Sequence, residues 1–175
     1  HLYFVADFPP DLWRSSRSED GAWSQPIKMD QISTEKGDWY PTFSKNNNLY
    51  FTNGMAYCAP FEKGNYSLIT PLDSPLHQEG ILDPCISPRE DYVIFTSEDR
   101  MGYGRSDLYV SFKNENGKWS EPQNLGNKIN TEFREFAPYI SPDEQFLFFS
   151  RREKWQDTRF SNIYWVSLDV VASLR

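Results

Sequence analysis

The stretch Pro138-Tyr139-Ile140-Ser141-Pro142-Asp143-Glu144-Gln145-Phe146-Leu147-Phe148-Phe149 decides the fold, because the chain holds it three times in outline. The pattern is a proline, two residues, a serine, a short polar turn and an apolar run. Pro41-Thr42-Phe43-Ser44 precedes Leu49-Tyr50-Phe51, and Pro84-Cys85-Ile86-Ser87 precedes Tyr92-Val93-Ile94-Phe95. These prolines lie 43 and 54 residues apart, and the opening Leu2-Tyr3-Phe4 matches Leu49-Tyr50-Phe51 at a spacing of 47. Two further patterns follow in the same order. One is Asp11-Leu12-Trp13, Asp107-Leu108-Tyr109 and Asn162-Ile163-Tyr164. The other is Gly21-Ala22-Trp23-Ser24, Gly64-Asn65-Tyr66-Ser67 and Gly117-Lys118-Trp119-Ser120, two of which run on into Pro26 and Pro122. Similarity at several registers in one order is the signature of a repeat architecture.

Each repeat reads as four short strands. Pro-x-x-Ser is the first. In Ser141-Pro142-Asp143-Glu144, Pro142 presets the second position of a type I turn and Ser141 suits the first. Ser87-Pro88-Arg89-Glu90 repeats this turn, and Asn46-Asn47-Asn48 serves instead by tolerating left-handed backbone. The apolar run is the second strand. It does not alternate polar with apolar residues, so both its faces should be buried. The Asp-Leu-Tyr segment is the third, leaving through Asn116-Gly117 or Asp20-Gly21, both hairpin signals. The fourth carries Trp-Ser and then proline, which cannot donate to a ladder and marks an edge. Four-stranded antiparallel units of ~40–45 residues are propeller blades, whose neighbours cover both faces of the inner strands. A β-sandwich would not need similar units. The expected fold is therefore all-β: a β-propeller of about four blade-equivalents, with units near 1–36, 37–78, 79–132 and 133–175. The strand counts expected are three, four, four and three, with 169–175 a short helix or extension. The first unit lacks its inner strand and the chain begins at His1, so the reading is the C-terminal part of a larger propeller.

Composition narrows the function classes. The chain has 175 residues and a formal net charge of -7, which disfavours tracking a nucleic-acid backbone. Aromatic residues make up 17%, too many for a disordered chain. No apolar run approaches a membrane span, and no charged segment followed by an apolar one marks a signal peptide. The two cysteines, Cys58 and Cys85, make neither a disulfide framework nor a zinc site, and are expected to be separate thiols. A monomer without cofactor is expected.

Three groups of residues resemble the TolB-like β-propeller repeat. They are Phe95-Thr96-Ser97-Glu98-Asp99-Arg100-Met101-Gly102-Tyr103-Gly104 with Ser106-Asp107-Leu108-Tyr109; Trp119-Ser120-Glu121-Pro122-Gln123-Asn124-Leu125-Gly126 with Ile129-Asn130-Thr131-Glu132; and Glu135 ahead of Pro138 with Ile140-Ser141-Pro142-Asp143. The ending Ser161-Asn162-Ile163-Tyr164-Trp165-Val166 is similar to the end of exported bacterial members. The match is close over 79–168 and looser before. In the second unit Ser67 lacks the following Glu-Pro, and Ile81 stands where Glu135 stands later. The resemblance implies a propeller of about six blades in the periplasm or at the cell surface of bacteria. It implies no single activity.

Candidate site residues follow from the blade geometry. The loop 130–135 crosses from an outer strand to the next inner strand and should reach the rim of the central channel, which makes Asp38, Arg134 and Glu135 the channel candidates. The alternative for Glu135 is a hydrogen-bonded tie between blades. Arg151, Arg152 and Trp155, in a charged run, are candidates for partner contact. Ser44, Ser87 and Ser141 recur in every repeat, so they read as turn residues rather than nucleophiles. Asp11, Asp107 and Asn162 read as local backbone acceptors. Asp99 and Asp107 are weak calcium candidates, and Arg100 could clip Asp107. His1 and His77 are the only histidines, too few for a histidine-based metal or nucleophile site. The favoured function is a non-catalytic interaction module of the bacterial cell envelope, binding protein or envelope glycan through its rim. The alternative is a propeller enzyme acting on carbohydrate, a lyase or hydrolase, or the propeller of a peptidase.

Overall fold

The computed structural model describes residues 1–154 and 160–175. The first sheet holds β1 (Leu2–Ala6), β2 (Asp11–Ser15) and β3 (Ile27–Lys28), in that order. The second holds β4 (Trp39–Phe43), β5 (Leu49–Thr52) and β6 (Ala56–Ala59). The chain then leaves through a separate hairpin, β7 (Phe61–Glu62) and β8 (Asn65–Tyr66), before β9 (Thr70–Pro71) closes that sheet against β6. The third holds β10 (Leu82–Ile86), β11 (Tyr92–Ser97), β12 (Asp107–Phe112) and β13 (Gln123–Asn124). The fourth holds β14 (Arg134–Ile140), β15 (Phe146–Arg152) and β16 (Asn162–Ser167), followed by the short helix α1 (Asp169–Ala172). These meanders of three, four, four and three strands are those the repeat predicts. The hairpin β7–β8 is extra; it turns at Lys63-Gly64 with φ of 51° and 86°, the paired left-handed geometry of a tight hairpin.

Successive sheets pack in order: β1, the equivalent of a repeat's second strand, lies on the inner strand β4, and the inner strands follow with β4 on β10 and β10 on β14. Alternate residues of a buried strand serve two cores. Val93 and Phe95 of β11 face the second sheet with Tyr50, Ile81 and Ile86, whereas Ile94 faces the fourth with Leu108, Leu147 and Phe149. This is why the run 92–95 shows no polar alternation. Burying each such side chain stabilises by roughly 1.5–3 kcal/mol. β15 departs from the expectation of two buried faces. Leu147 and Phe149 are buried, but Phe146 and Phe148 are only half-buried beside the exposed Trp165, because no sheet among the described residues covers that side. Val171 of α1 completes the core under Phe149.

The three serines occupy equivalent turns. Ser44, Ser87 and Ser141 each send their N–H to a carbonyl four or five residues on: Asn48, Tyr92 and Phe146, at 3.0, 2.9 and 2.9 Å. Each hydroxyl accepts from the amides that follow, and Asn47, Glu90 and Glu144 take positive φ of 64°, 62° and 56°. The outer strands differ from the sequence reading. Trp23 and Trp119 make single bridges to Arg17 and Lys113, and the outer ladders begin only after Pro26 and Pro122. Serine replaces the ladder there: the N–H of Phe112 donates to Ser120 Oγ at 3.0 Å, and that of Ser16 to Ser24 Oγ at 3.0 Å. Cys58 and Cys85 are free thiols, and burial pushes that of Cys85 up to about 11. Among the described residues no helix is long and apolar enough to cross a membrane.

Candidate axial cleft

The inner strands β4, β10 and β14 carry the same irregularity. Tyr40, Asp83 and Ala137, each followed by proline, take φ of 53°, 47° and 51°, and the register to the next strand slips at each. The proline has no N–H to offer a ladder, so the bulge falls where pairing is already broken. The bulges line one groove. Its first part, about 490 Å³, is bounded by Trp39, Tyr40, Asp83, Arg134, Phe136 and Arg152. It runs on past Tyr40 and Asp83 into a hollow of about 530 Å³ floored by Pro41, Pro84, Pro138 and Tyr139.

Asp83 ties the third and fourth sheets together. One carboxylate oxygen accepts from the Ala137 N–H at 2.9 Å and from Thr96 Oγ1 at 3.1 Å. Burial outweighs these bonds and holds its carboxyl above the usual range. Arg134 and Arg152 stand directly opposite on β14 and β15. Both guanidinium groups lie over the ring of Phe136, at 5.7 and 5.3 Å, and Arg134 pairs with Glu98 at 2.5 Å. The Nε of each arginine is buried without a hydrogen-bond partner. Burial, and then the charge of Asp83, raise the Tyr40 phenol.

Of the channel candidates, Arg134 lines the cleft while Asp38 and Glu135 are wholly buried. Asp38 accepts from the Thr34 N–H and Oγ1 at 2.9 and 2.8 Å. Glu135 accepts from the Thr131 N–H and Oγ1 at 3.0 and 2.6 Å, and from Arg151 Nε at 2.7 Å. Each carboxylate closes the loop behind a threonine four residues earlier. That spacing puts the acid inside the blade rather than on the rim. Arg151 is consumed by Glu135 and by the Ile129 carbonyl at 2.8 Å, whereas Arg152 turns into the cleft. Trp155 lies outside the described residues.

Asp107 is buried and accepts from the N–H groups of Tyr103 and Gly104 and from Asn124 Nδ2, at 2.7, 3.1 and 2.8 Å. Asp99 is exposed, and no group of three metal-ligating side chains is assembled among the described residues. Arg100 lies over the rings of Phe95 and Tyr109, at 5.9 Å from each, in place of a clip to Asp107. Asp11 pairs with Lys28 at 2.7 Å instead of with a backbone amide. Sequence reasoning does not single out Trp39, Tyr40, Asp83 or Phe136. A signal for two of them is present, since Tyr40 and Asp83 stand immediately before the prolines that define the repeat.

No protein-family model and no curated protein matches the sequence. Among solved structures, a puromycin-hydrolysing peptidase of Mycobacterium tuberculosis matches 95% of this chain at 15% identity and a TM-score of 0.52. A protein assigned as TolB from Agrobacterium tumefaciens matches 83% at 15% identity and a TM-score of 0.42. The chain spans 27% of the peptidase and 63% of the second protein. At 15% identity the likeness to the peptidase is one of fold, and it agrees with the repeated meanders and the packed inner strands: the chain has β-propeller architecture.

Proposed function

We propose that this chain is a non-catalytic propeller module of the bacterial cell envelope, in the periplasm or at the cell surface, that binds its partner at the axial cleft. The observation that supports the reading is the make-up of that cleft: exposed Trp39 and Tyr40 beside two arginines and one hydrogen-bonded carboxylate. Concave surfaces with exposed aromatics and few convergent polar groups are binding surfaces. The polar side chains with the most specific partners elsewhere, Asp38, Glu135 and Asp107, are engaged in holding loops. The repeat units 37–78, 79–132 and 133–175 each contribute an inner strand to this surface.

A photo-crosslinking residue placed at Trp39, and a control at Lys118 on the outer hairpin, test the reading in envelope extract. Adducts at position 39 and none at 118 are expected. Equal labelling at both positions, or labelling only at 118, would overturn it.

A further inference from the structure

We propose that the axial cleft binds a carboxylate-bearing sugar, with Arg134 and Arg152 on its carboxylate and Trp39 and Tyr40 against its ring. This rests on the cleft being the binding surface and goes on to name the ligand chemistry.

Two guanidinium groups on directly opposite strand positions repel each other, and like charges so placed destabilise a sheet. In a chain of net charge -7 such a pair has no general electrostatic purpose. Phe136 beneath both cations and Glu98 beside one offset part of the repulsion. What stays unmet is hydrogen bonding, since the Nε of each arginine is buried without an acceptor. Both side chains line the cleft, and a carboxylate there meets the two cations from that side, where guanidinium groups take it in forked, charge-assisted geometry. Glu98 and Asp83 already stand against the two cations, so a phosphate dianion would meet more repulsion here than a singly charged carboxylate.

The second half of the site is apolar and flat. Trp39 and Tyr40 are 47% and 44% exposed on the same cleft. Its volume, about 490 Å³, lies within the span of small-molecule sites, roughly 300–1,000 Å³. An extended peptide would dock by pairing with the inner strands. The bulge and proline in each of β4, β10 and β14 blunt those edges against a new strand. A sugar needs no strand edge, only ring faces and polar groups.

Tryptophan fluorescence and calorimetric titration with trigalacturonate test the proposal, with its fully methyl-esterified trimer and inorganic phosphate as comparison ligands. Saturable binding of the acid is expected, with the ester and phosphate each weaker by about tenfold or more, the loss of one charge-assisted contact. Arg152→Gln and Trp39→Ala should each weaken the acid by a similar factor; Trp39→Ala removes only a half-exposed ring and serves if Arg152→Gln melts early. Equal binding of acid and ester, phosphate binding as tight as the acid, no saturation, or variants that bind like wild type would each overturn it. If the trimer fails to bind while a crosslinker at position 39 still captures a partner, the sugar assignment falls and the axial reading stands. Failure of both removes the axial reading as well.

Discussion

Phe149 and Tyr164 face each other across β15 and β16, their ring centroids 5.8 Å apart and their planes 20° from parallel. The same stack recurs one sheet earlier between Phe95 and Tyr109 at 6.0 Å, and again between Phe51 and Tyr57 at 5.5 Å. In the last two sheets an arginine lies over it, Arg100 on the Phe95 stack and Arg151 on that of Phe149. The repeat thus carries a three-dimensional contact as well as a strand pattern. Phe149→Ala should destabilise the fold by roughly 3–5 kcal/mol, the range for a buried aromatic truncated in a core. Phe148→Ala, on the uncovered side of the same strand, should cost about 1 kcal/mol. Urea denaturation of both variants measures the difference, and equal losses would mean that a further layer covers Phe148.

Arg151 and Glu135 form a buried ion pair, with side chains 14% and 0% exposed. Removing the cation leaves a carboxylate in the interior with only the Thr131 donors, so Arg151→Ala should cost roughly 3–5 kcal/mol. Replacing both partners with apolar residues should restore part of that loss, because no charge is then stranded. Chemical denaturation of the two single variants and the double variant gives the coupling. Additive losses would show that the pair is not a unit.

Asp83 predicts a pH dependence. Its folded carboxyl lies above the usual range because burial disfavours the charge, with the Ala137 and Thr96 hydrogen bonds only partly compensating. A carboxyl raised on folding contributes most below its unfolded pKa and loses that contribution as pH rises through its folded pKa. In the Asp83→Asn variant the amide oxygen accepts both hydrogen bonds and carries no charge. The stability of this variant relative to wild type should therefore increase as pH is raised from about 4, the ordinary Asp pKa, and level off above the folded pKa. Denaturation midpoints across that span provide the check, and a difference that shrinks with rising pH would reverse the assignment.

The strand framework was legible because it depends on local chemistry that repeats. Serine before a turn, apolar residues in a run and glycine after an asparagine or aspartate each act within a few residues. The cleft was less legible because it forms where three strands from different repeats converge. Arg134 and Arg152 are 18 positions apart in sequence, and only the register of β14 against β15 places them opposite. Glu135 stands beside Arg134 in the chain, yet strand alternation sends it into the blade while Arg134 faces the groove. The β7–β8 hairpin has no separate signal in the sequence, because Lys63-Gly64 resembles the exit turns of the other repeats, where no separate hairpin grows.

The three turn serines offer the most direct check on repeat equivalence. Ser87 is wholly buried; its hydroxyl accepts from the N–H groups of Asp91 and Tyr92 and donates to the Asp91 carboxylate at 2.7 Å. Ser141 likewise takes two amides, of Gln145 and Phe146, and donates to Asp143 at 2.5 Å. Ser44 takes only the Asn48 amide, at 3.2 Å. Alanine at any of them strands donors, at about 1–3 kcal/mol where these are buried. Ser87→Ala should therefore cost most, because the Tyr92 amide is buried with it, and Ser44→Ala least. Thermal melts of the three variants rank them. Were Ser44→Ala the most damaging, the hydroxyl would hold something other than the turn, and the equivalence of the three positions would fail.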